Sequence, residues 1–237
     1  MKFSTKVIHS GLKTDPATGA IITPIYQTST YVQKKPGDNL GYEYSRTKNP
    51  TRSALETSIA QIEDGKYGIC YSSGMGAADT VVKLLKPGDE IIANKDIYGG
   101  TYRMFEQVFK SFGLRFIYTD LTDCHNLSKS ISKNTKMIWI ESPSNPLMDI
   151  IDISKVKQIV QHRKDVLVVV DNTFATPALQ RPLNLGADIV LHSVTKYLGG
   201  HSDLVMGALI TNNKKIYDKL FLITKSCGAV PGPMDCF

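Results

Sequence analysis

Lys196 lies in the segment Ser193-Val-Thr-Lys-Tyr-Leu-Gly-Gly-His-Ser-Asp203. It follows the apolar run Ala187-Asp-Ile-Val-Leu191, which reads as the end of a buried strand, and it precedes Gly199 and Gly200. A lysine at the mouth of a sheet suits imine formation with an aldehyde cofactor, because a partly desolvated amine is a nucleophile. The hydroxyls of Ser193 and Thr195 could hold a phosphate beside it. The plainer alternative is a surface lysine that caps a turn.

Two further segments add chemistry. Val166-Leu-Val-Val-Val-Asp-Asn-Thr173 is an apolar run closed by a carboxylate. Such a run predicts a central parallel strand buried on both faces. Ligands of open α/β sheets bind beyond the carboxyl ends of strands, where Asp171 falls. A buried aspartate needs a cationic partner. A protonated pyridine nitrogen is one candidate, since that pairing keeps pyridoxal phosphate an effective electron sink. The competing reading is an aspartate that caps the next turn. Tyr71-Ser-Ser-Gly-Met-Gly-Ala-Ala-Asp79 follows the strand-like run Tyr67–Tyr71 and opens a helical stretch to Lys86. Small residues at a helix N-terminus leave amides free to cradle a phosphate. Gly74-Met-Gly76 also begins like a dinucleotide fingerprint. Asp79 stands where the third glycine belongs, which disfavours a nicotinamide-binding Rossmann domain.

The elements that must position these residues alternate. Helical spacing runs from Leu55 to Ile62, and strands are expected at Glu90–Ala93, Arg115–Thr119 and Lys136–Glu141. Gly100 to Phe112 reads as an amphipathic helix stopped by Gly113. Ile153 to Gln161 is helical, strands end at Asp171 and His192, Asp203 to Ile210 reads as another strand, and Lys214 to Lys225 as a helix. Such alternation predicts an α/β fold with a mostly parallel sheet covered by helices on both faces. Residues 1–51 lack periodicity and read as an extended arm, with 52–237 forming the sheet-bearing domain.

These segments, taken together, resemble the Cys/Met-metabolism family of pyridoxal-phosphate enzymes. The likeness rests on Gly41-Tyr-Glu-Tyr-Ser-Arg-Thr-Lys-Asn-Pro-Thr-Arg52, Ser72-Ser-Gly-Met75, Asp96-Ile-Tyr-Gly-Gly-Thr101, Glu141-Ser-Pro-Ser-Asn-Pro146, Val170-Asp-Asn-Thr-Phe174 and the Lys196 segment, in family order. It implies the large domain of a fold-type I pyridoxal-phosphate-dependent transferase. It implies pyridoxal 5'-phosphate bound covalently by Lys196, which would also shuttle protons. By the same resemblance Asp171 would pair with the pyridinium nitrogen. Ser73, Gly74, Met75, Ser193 and Thr195 would bind the phosphate, Tyr98 would stack on the ring and aid proton transfer, and Asn145 and Thr173 would line the cofactor site. Tyr44 and Arg46 would reach the phosphate of a neighbouring subunit, implying a homo-oligomer, a dimer of dimers, with a shared site. A guanidinium fork suits that task.

Within the family, Gly100 departs from methionine γ-lyases, which typically carry cysteine there. The remaining patterns resemble cystathionine γ-lyases and γ-synthases. The expected reaction is cleavage of a sulfur amino acid, cystathionine, to cysteine, 2-oxobutanoate and ammonia; the alternative is the synthase reaction, which joins cysteine to an acylated homoserine. Similar enzymes continue past Gly232-Pro-Met-Asp-Cys-Phe237 into a C-terminal domain with a substrate-carboxylate arginine. The resemblance therefore implies a chain without that domain, and a third alternative is a catalytically inactive fragment that binds cofactor or associates with full-length subunits. An exposed apolar docking face and poor solubility are expected of it.

Composition excludes other classes. The net charge of +6 comes from 28 basic and 22 acidic residues spread without a long basic run, which argues against nucleic acid. No apolar stretch approaches the roughly 20 residues of a membrane span, and Met1 to Lys6 lacks a secretory signal. Cys70, Cys124, Cys227 and Cys236 contain no C-x-x-C pair and read as reduced cytoplasmic thiols. The five histidines show no metal spacing; His192 and His201 read as orienting the lysine loop.

Overall fold

The computed structural model describes residues 2–237; Met1, the first residue of the expected arm, lies outside them. The core is a seven-stranded sheet: β1 (Tyr67–Tyr71), β2 (Glu90–Asn94), β3 (Arg115–Thr119), β4 (Thr135–Glu141), β5 (Leu167–Asp171), β6 (Ile189–Ser193) and β7 (Gly207–Thr211). The order is β1-β7-β6-β5-β4-β2-β3. Only β7 runs antiparallel to its neighbours β1 and β6. The other pairs are parallel. The helices are α1 (Phe3–His9), α2 (Pro50–Ile62), α3 (Gly74–Val82), α4 (Gly99–Arg103), α5 (Cys124–Ser130), α6 (Ile153–Val160), α7 (Thr176–Leu179), α8 (Lys214–Cys227) and α9 (Pro233–Cys236). None of the described helices is long and apolar enough to cross a membrane.

The strand period of two splits the core into two layers. Ile138, Ile140, Val168, Val170 and Val190 pack toward α2 and α6. Met137, Trp139, Val169, Ile189 and Leu191 pack toward α3 and α8. Two covered faces explain why the central strands are apolar throughout.

Several elements depart from expectation. The first segment is not wholly extended: α1 forms there and docks by a Lys6–Asp64 ion pair and by Arg181 stacked 4.6 Å from the Phe3 ring centroid. Helix α2 begins at Pro50, because the Asn49 side chain caps the amides of Thr51 and Arg52 and proline suits the first turn. Helix α3 ends at Val82 rather than near Lys86. The expected Gly100–Phe112 helix starts at Gly99, widens into a π turn over Met104–Val108 and tightens to a 3₁₀ tail before Gly113, whose φ is 81°. Residues 203–206 stay outside the sheet, since Met206 bonds Thr195: its carbonyl accepts from the Thr195 amide at 3.1 Å and its amide donates to the Thr195 hydroxyl at 2.9 Å. Helix α5 was not expected; Asp123 caps it.

Candidate active site

A cavity of about 290 Å³ lies beyond the carboxyl ends of β4, β5 and β6, where open α/β sheets bind ligands. Lys196, Asp171, Ser73, Gly74, Met75, Ser193, Thr195, Tyr98, Asn145 and Thr173 all line it. Three larger hollows, of about 330, 580 and 600 Å³, lie beside α2. They hold none of these groups, so the chemistry belongs to the smaller cavity.

Asp171 ends β5 and is in register with Glu141 of β4 and Leu191 of β6. Alternation places Glu141, Asp171 and Ser193 on the α3 side. The Asp171 carboxylate accepts two bonds from Thr173, from the amide at 3.0 Å and the hydroxyl at 2.6 Å. Among the described residues no lysine, arginine or histidine forms an ion pair with it. Burial pushes its pKa up, and the Thr173 bonds pull against that rise. A buried carboxylate without a cation is a site that a protonated ring nitrogen would satisfy. The Thr173 hydroxyl also accepts the Ser193 amide at 2.8 Å, locking β5 to β6.

The N-terminus of α3 faces Ser193. The Ser73 hydroxyl accepts the Gly76 amide at 3.0 Å. The Gly74 and Met75 amides have no acceptor among the described residues. They supply the donors and positive dipole end that an anion needs. Close approach makes this cradle: a Cβ on Gly74 would fall 2.9 Å from Ser193 Cβ, and one on Gly207 only 2.3 Å from the Ser73 carbonyl oxygen. The Thr195 hydroxyl is engaged, donating to the Met206 carbonyl at 3.1 Å. Carboxylate, amide cradle and amine together fit the pyridine nitrogen, phosphate and aldehyde of pyridoxal phosphate.

Lys196 departs from expectation in one respect. It lines the cavity but is exposed rather than partly desolvated, because the rim beside it, with Tyr197 and Val205, is open to solvent. Tyr98 borders the cavity with its ring against Gly100, where a Cβ would lie 2.3 Å from the ring. Tyr44 and Arg46 are not brought to this cavity. Arg46 stacks on Tyr44 at 5.3 Å and donates to the Lys225 carbonyl. Their loop is held by the buried Arg52, which donates to the carbonyls of Ser45 and Thr47 at 2.8 Å each.

His192 does not orient the lysine loop. It is fully buried on the opposite face of the sheet, paired with the buried Glu63, which also accepts from Asn172 at 2.7 Å. Glu141 was missed as a site residue. Its Oε2 accepts the Tyr98 amide at 2.7 Å. Burial and then the neighbouring Asp171 push its pKa up to about 8. A carboxylate closing a second apolar run, Met137-Ile-Trp-Ile-Glu141, was the available signal.

Residues 4–237 match the family of Cys/Met metabolism PLP-dependent enzymes. A probable cystathionine gamma-synthase of Herpetosiphon aurantiacus is 48% identical over 99% of this chain and 73% of its own length. A cystathionine beta-lyase of Coxiella burnetii is 50% identical over 98% of this chain and 60% of its own. The crystal structure of cystathionine gamma-lyase from Lactobacillus plantarum, complexed with L-serine, superposes with a TM-score of 0.97 at 44% identity, over 100% of this chain and 61% of that one.

Proposed function

The chain belongs to the Cys/Met metabolism PLP-dependent enzymes, and from that premise we propose that it cleaves the Cγ–S bond of cystathionine, taking up water and releasing cysteine, 2-oxobutanoate and ammonia. The observation that carries the cofactor site is the convergence of Lys196, the cation-free Asp171 and the α3 cradle on one cavity. Similarity to proteins named for cystathionine lysis and synthesis supports the substrate, and Gly100, packed under the Tyr98 ring, supports this branch over a cysteine-bearing one.

When bound, pyridoxal phosphate supplies an aldehyde that condenses with amines and a ring that takes up the electron pair left by a broken Cα–H bond. Lys196 would hold that aldehyde through Nζ, and the same amine could take the Cα proton of a bound substrate. Its open rim gives substrate access to the same amine. Asp171, kept in place by Thr173, holds a positive charge at the buried end of the cavity. Ser73, Gly74, Met75, Ser193 and Thr195 would bind the phosphate, Tyr98 would stack on the ring and aid proton transfer, and Asn145 would lie near the substrate; all line the cavity. Residues 1–51 form an arm in which Tyr44 and Arg46, fixed by Arg52, reach the phosphate of a neighbouring subunit. On this reading the protein works as a homo-oligomer, a dimer of dimers with a shared site, and the location proposed for it is the cytoplasm.

Product analysis tests the reaction. Cystathionine incubated with the pyridoxal-phosphate-loaded protein should yield 2-oxobutanoate and cysteine. Pyruvate with homocysteine would assign β-cleavage instead. Consumption of cysteine with an acylated homoserine, without cystathionine breakdown, would assign the synthase reaction.

A further inference from the structure

Glu141 is the second carboxyl group of the cavity and has no part in the roles above. It closes β4 as Asp171 closes β5, and the two are register partners on one face. Its Oε2 takes the Tyr98 amide at 2.7 Å. Tyr98 leads into α4 without a side-chain cap of its own, and the lack of a side chain at Gly100 leaves room for its ring. Glu141 is thus the group that holds the backbone of Tyr98. Asp96, two residues earlier, is committed elsewhere: it accepts from the Ser144 hydroxyl and from the Leu147 amide at 3.0 Å.

Two adjacent buried carboxyls without a cation do not both ionise, so one keeps a proton. Thr173 gives Asp171 a hydroxyl and an amide donor, which favour its charged form; Glu141 has backbone donors of its own at Tyr98 and Asn145, but burial and Asp171 outweigh them. Among the described residues no cationic side chain pairs with Glu141. Burial and Asp171 hold its pKa near 8, in agreement with the geometry.

We propose that Glu141 is a positioning residue that, as a neutral acid, holds Tyr98 over the cavity beside the single negative charge that Asp171 presents to the cofactor. The proposal rests on the pyridoxal-phosphate reading above. It makes reach and neutrality the two requirements at residue 141. Glutamine satisfies both, since its carbonyl oxygen can accept the Tyr98 amide. Aspartate keeps the acid but withdraws the acceptor by one bond, about 1.5 Å.

The test titrates the full chain and its Glu141→Gln and Glu141→Asp variants with pyridoxal phosphate, following affinity and the visible circular dichroism of the bound cofactor. Glu141→Gln should bind within about threefold of the parent with the same dichroism band. Glu141→Asp should bind roughly tenfold more weakly, the scale of one lost hydrogen bond to a buried donor, with a diminished band. The reverse order, equal affinities in all three proteins, or a lowered melting temperature with an unchanged band would each overturn the proposal. If Glu141→Asp does not fold, Glu141→Gln and Glu141→Ala decide: parent-like affinity and band in Glu141→Gln with a tenfold loss in Glu141→Ala supports the proposal, and any other order overturns it. Borohydride labelling of the parent separates the two failures. A parent that does not label at Lys196 refutes the cofactor reading and this proposal with it. A labelled parent with indistinguishable variants refutes this proposal alone.

Discussion

Replacing Gly207 with alanine puts a methyl group 2.3 Å from the Ser73 carbonyl oxygen and 2.8 Å from the Gly74 Cα. Carbon–oxygen contacts settle at about 3.3–3.6 Å, so the Ser73–Gly74 backbone must retreat by roughly 1 Å. It has no flexible side chain to yield in its place, and Gly207 is buried where β7 meets β1 and β6. Overpacking of this kind costs about 1–3 kcal/mol. At roughly 2–4 °C per kcal/mol for a chain of this size, the melting temperature should fall by about 2–12 °C. The functional loss should be larger. A 1 Å shift takes the Gly74 and Met75 amides out of hydrogen-bond range of an anion held at Ser193. Two bonds to a charged group at about 1.5 kcal/mol each correspond to roughly 100-fold weaker binding. Absorbance titration with pyridoxal phosphate, run beside thermal melts, measures both quantities. Gly99→Ala is the control, because a Cβ there meets nothing within 4 Å. An alanine at residue 207 that binds pyridoxal phosphate within threefold of the parent would refute the cradle.

Other consequences follow from the same geometry. Gly100→Cys should push the Tyr98 ring from its seat and weaken pyridoxal phosphate roughly tenfold, because the new Cβ would lie 2.3 Å from the ring; a crystal structure of the variant with the ring unmoved would contradict this. Thr173→Val removes the hydroxyl that joins Asp171 to the Ser193 amide, and should cost about 1–3 kcal/mol in urea unfolding, where no loss would refute that link. For the cofactor-free protein, Glu141 is raised from 4.5 to about 8. Its contribution is therefore fully present below pH 4.5, declines as pH rises toward 8 and is constant above. Glu141→Gln abolishes that titration, so the variant should gain stability relative to the parent between pH 5 and pH 8, by a few kcal/mol at most. A difference independent of pH in urea midpoints would count against the buried acid.

Where the sequence was legible, local signals and the fold agreed. The continuous apolar runs read as strands ending at Asp171 and His192 are closed by polar side chains, so both strands could be read from them, β6 running one residue further to Ser193. Arg115–Thr119 and Tyr67–Tyr71 matched residue for residue. What was illegible depends on contacts distant in the chain. The pairing of Glu141 with Asp171 is a matter of strand register, and that of His192 with Glu63 joins a strand end to the residue after α2. Nothing near His192 marks it as facing away from the lysine loop except the parity of β6. Residues 203–206 have strand-like composition, yet Thr195 captures Met206 before the ladder starts. The exposure of Lys196 was likewise unreadable, since a lysine's surroundings are set by the rim of the whole cavity.

The proposed role of Lys196 as the cofactor lysine is tested by reduction of the pyridoxal-phosphate-loaded protein with borohydride, followed by peptide mass mapping. One dominant pyridoxyl-phosphate label is expected, on the peptide that carries Lys196, and it should vanish in Lys196→Ala together with turnover. A label spread over surface lysines, or one that persists in Lys196→Ala, would contradict it.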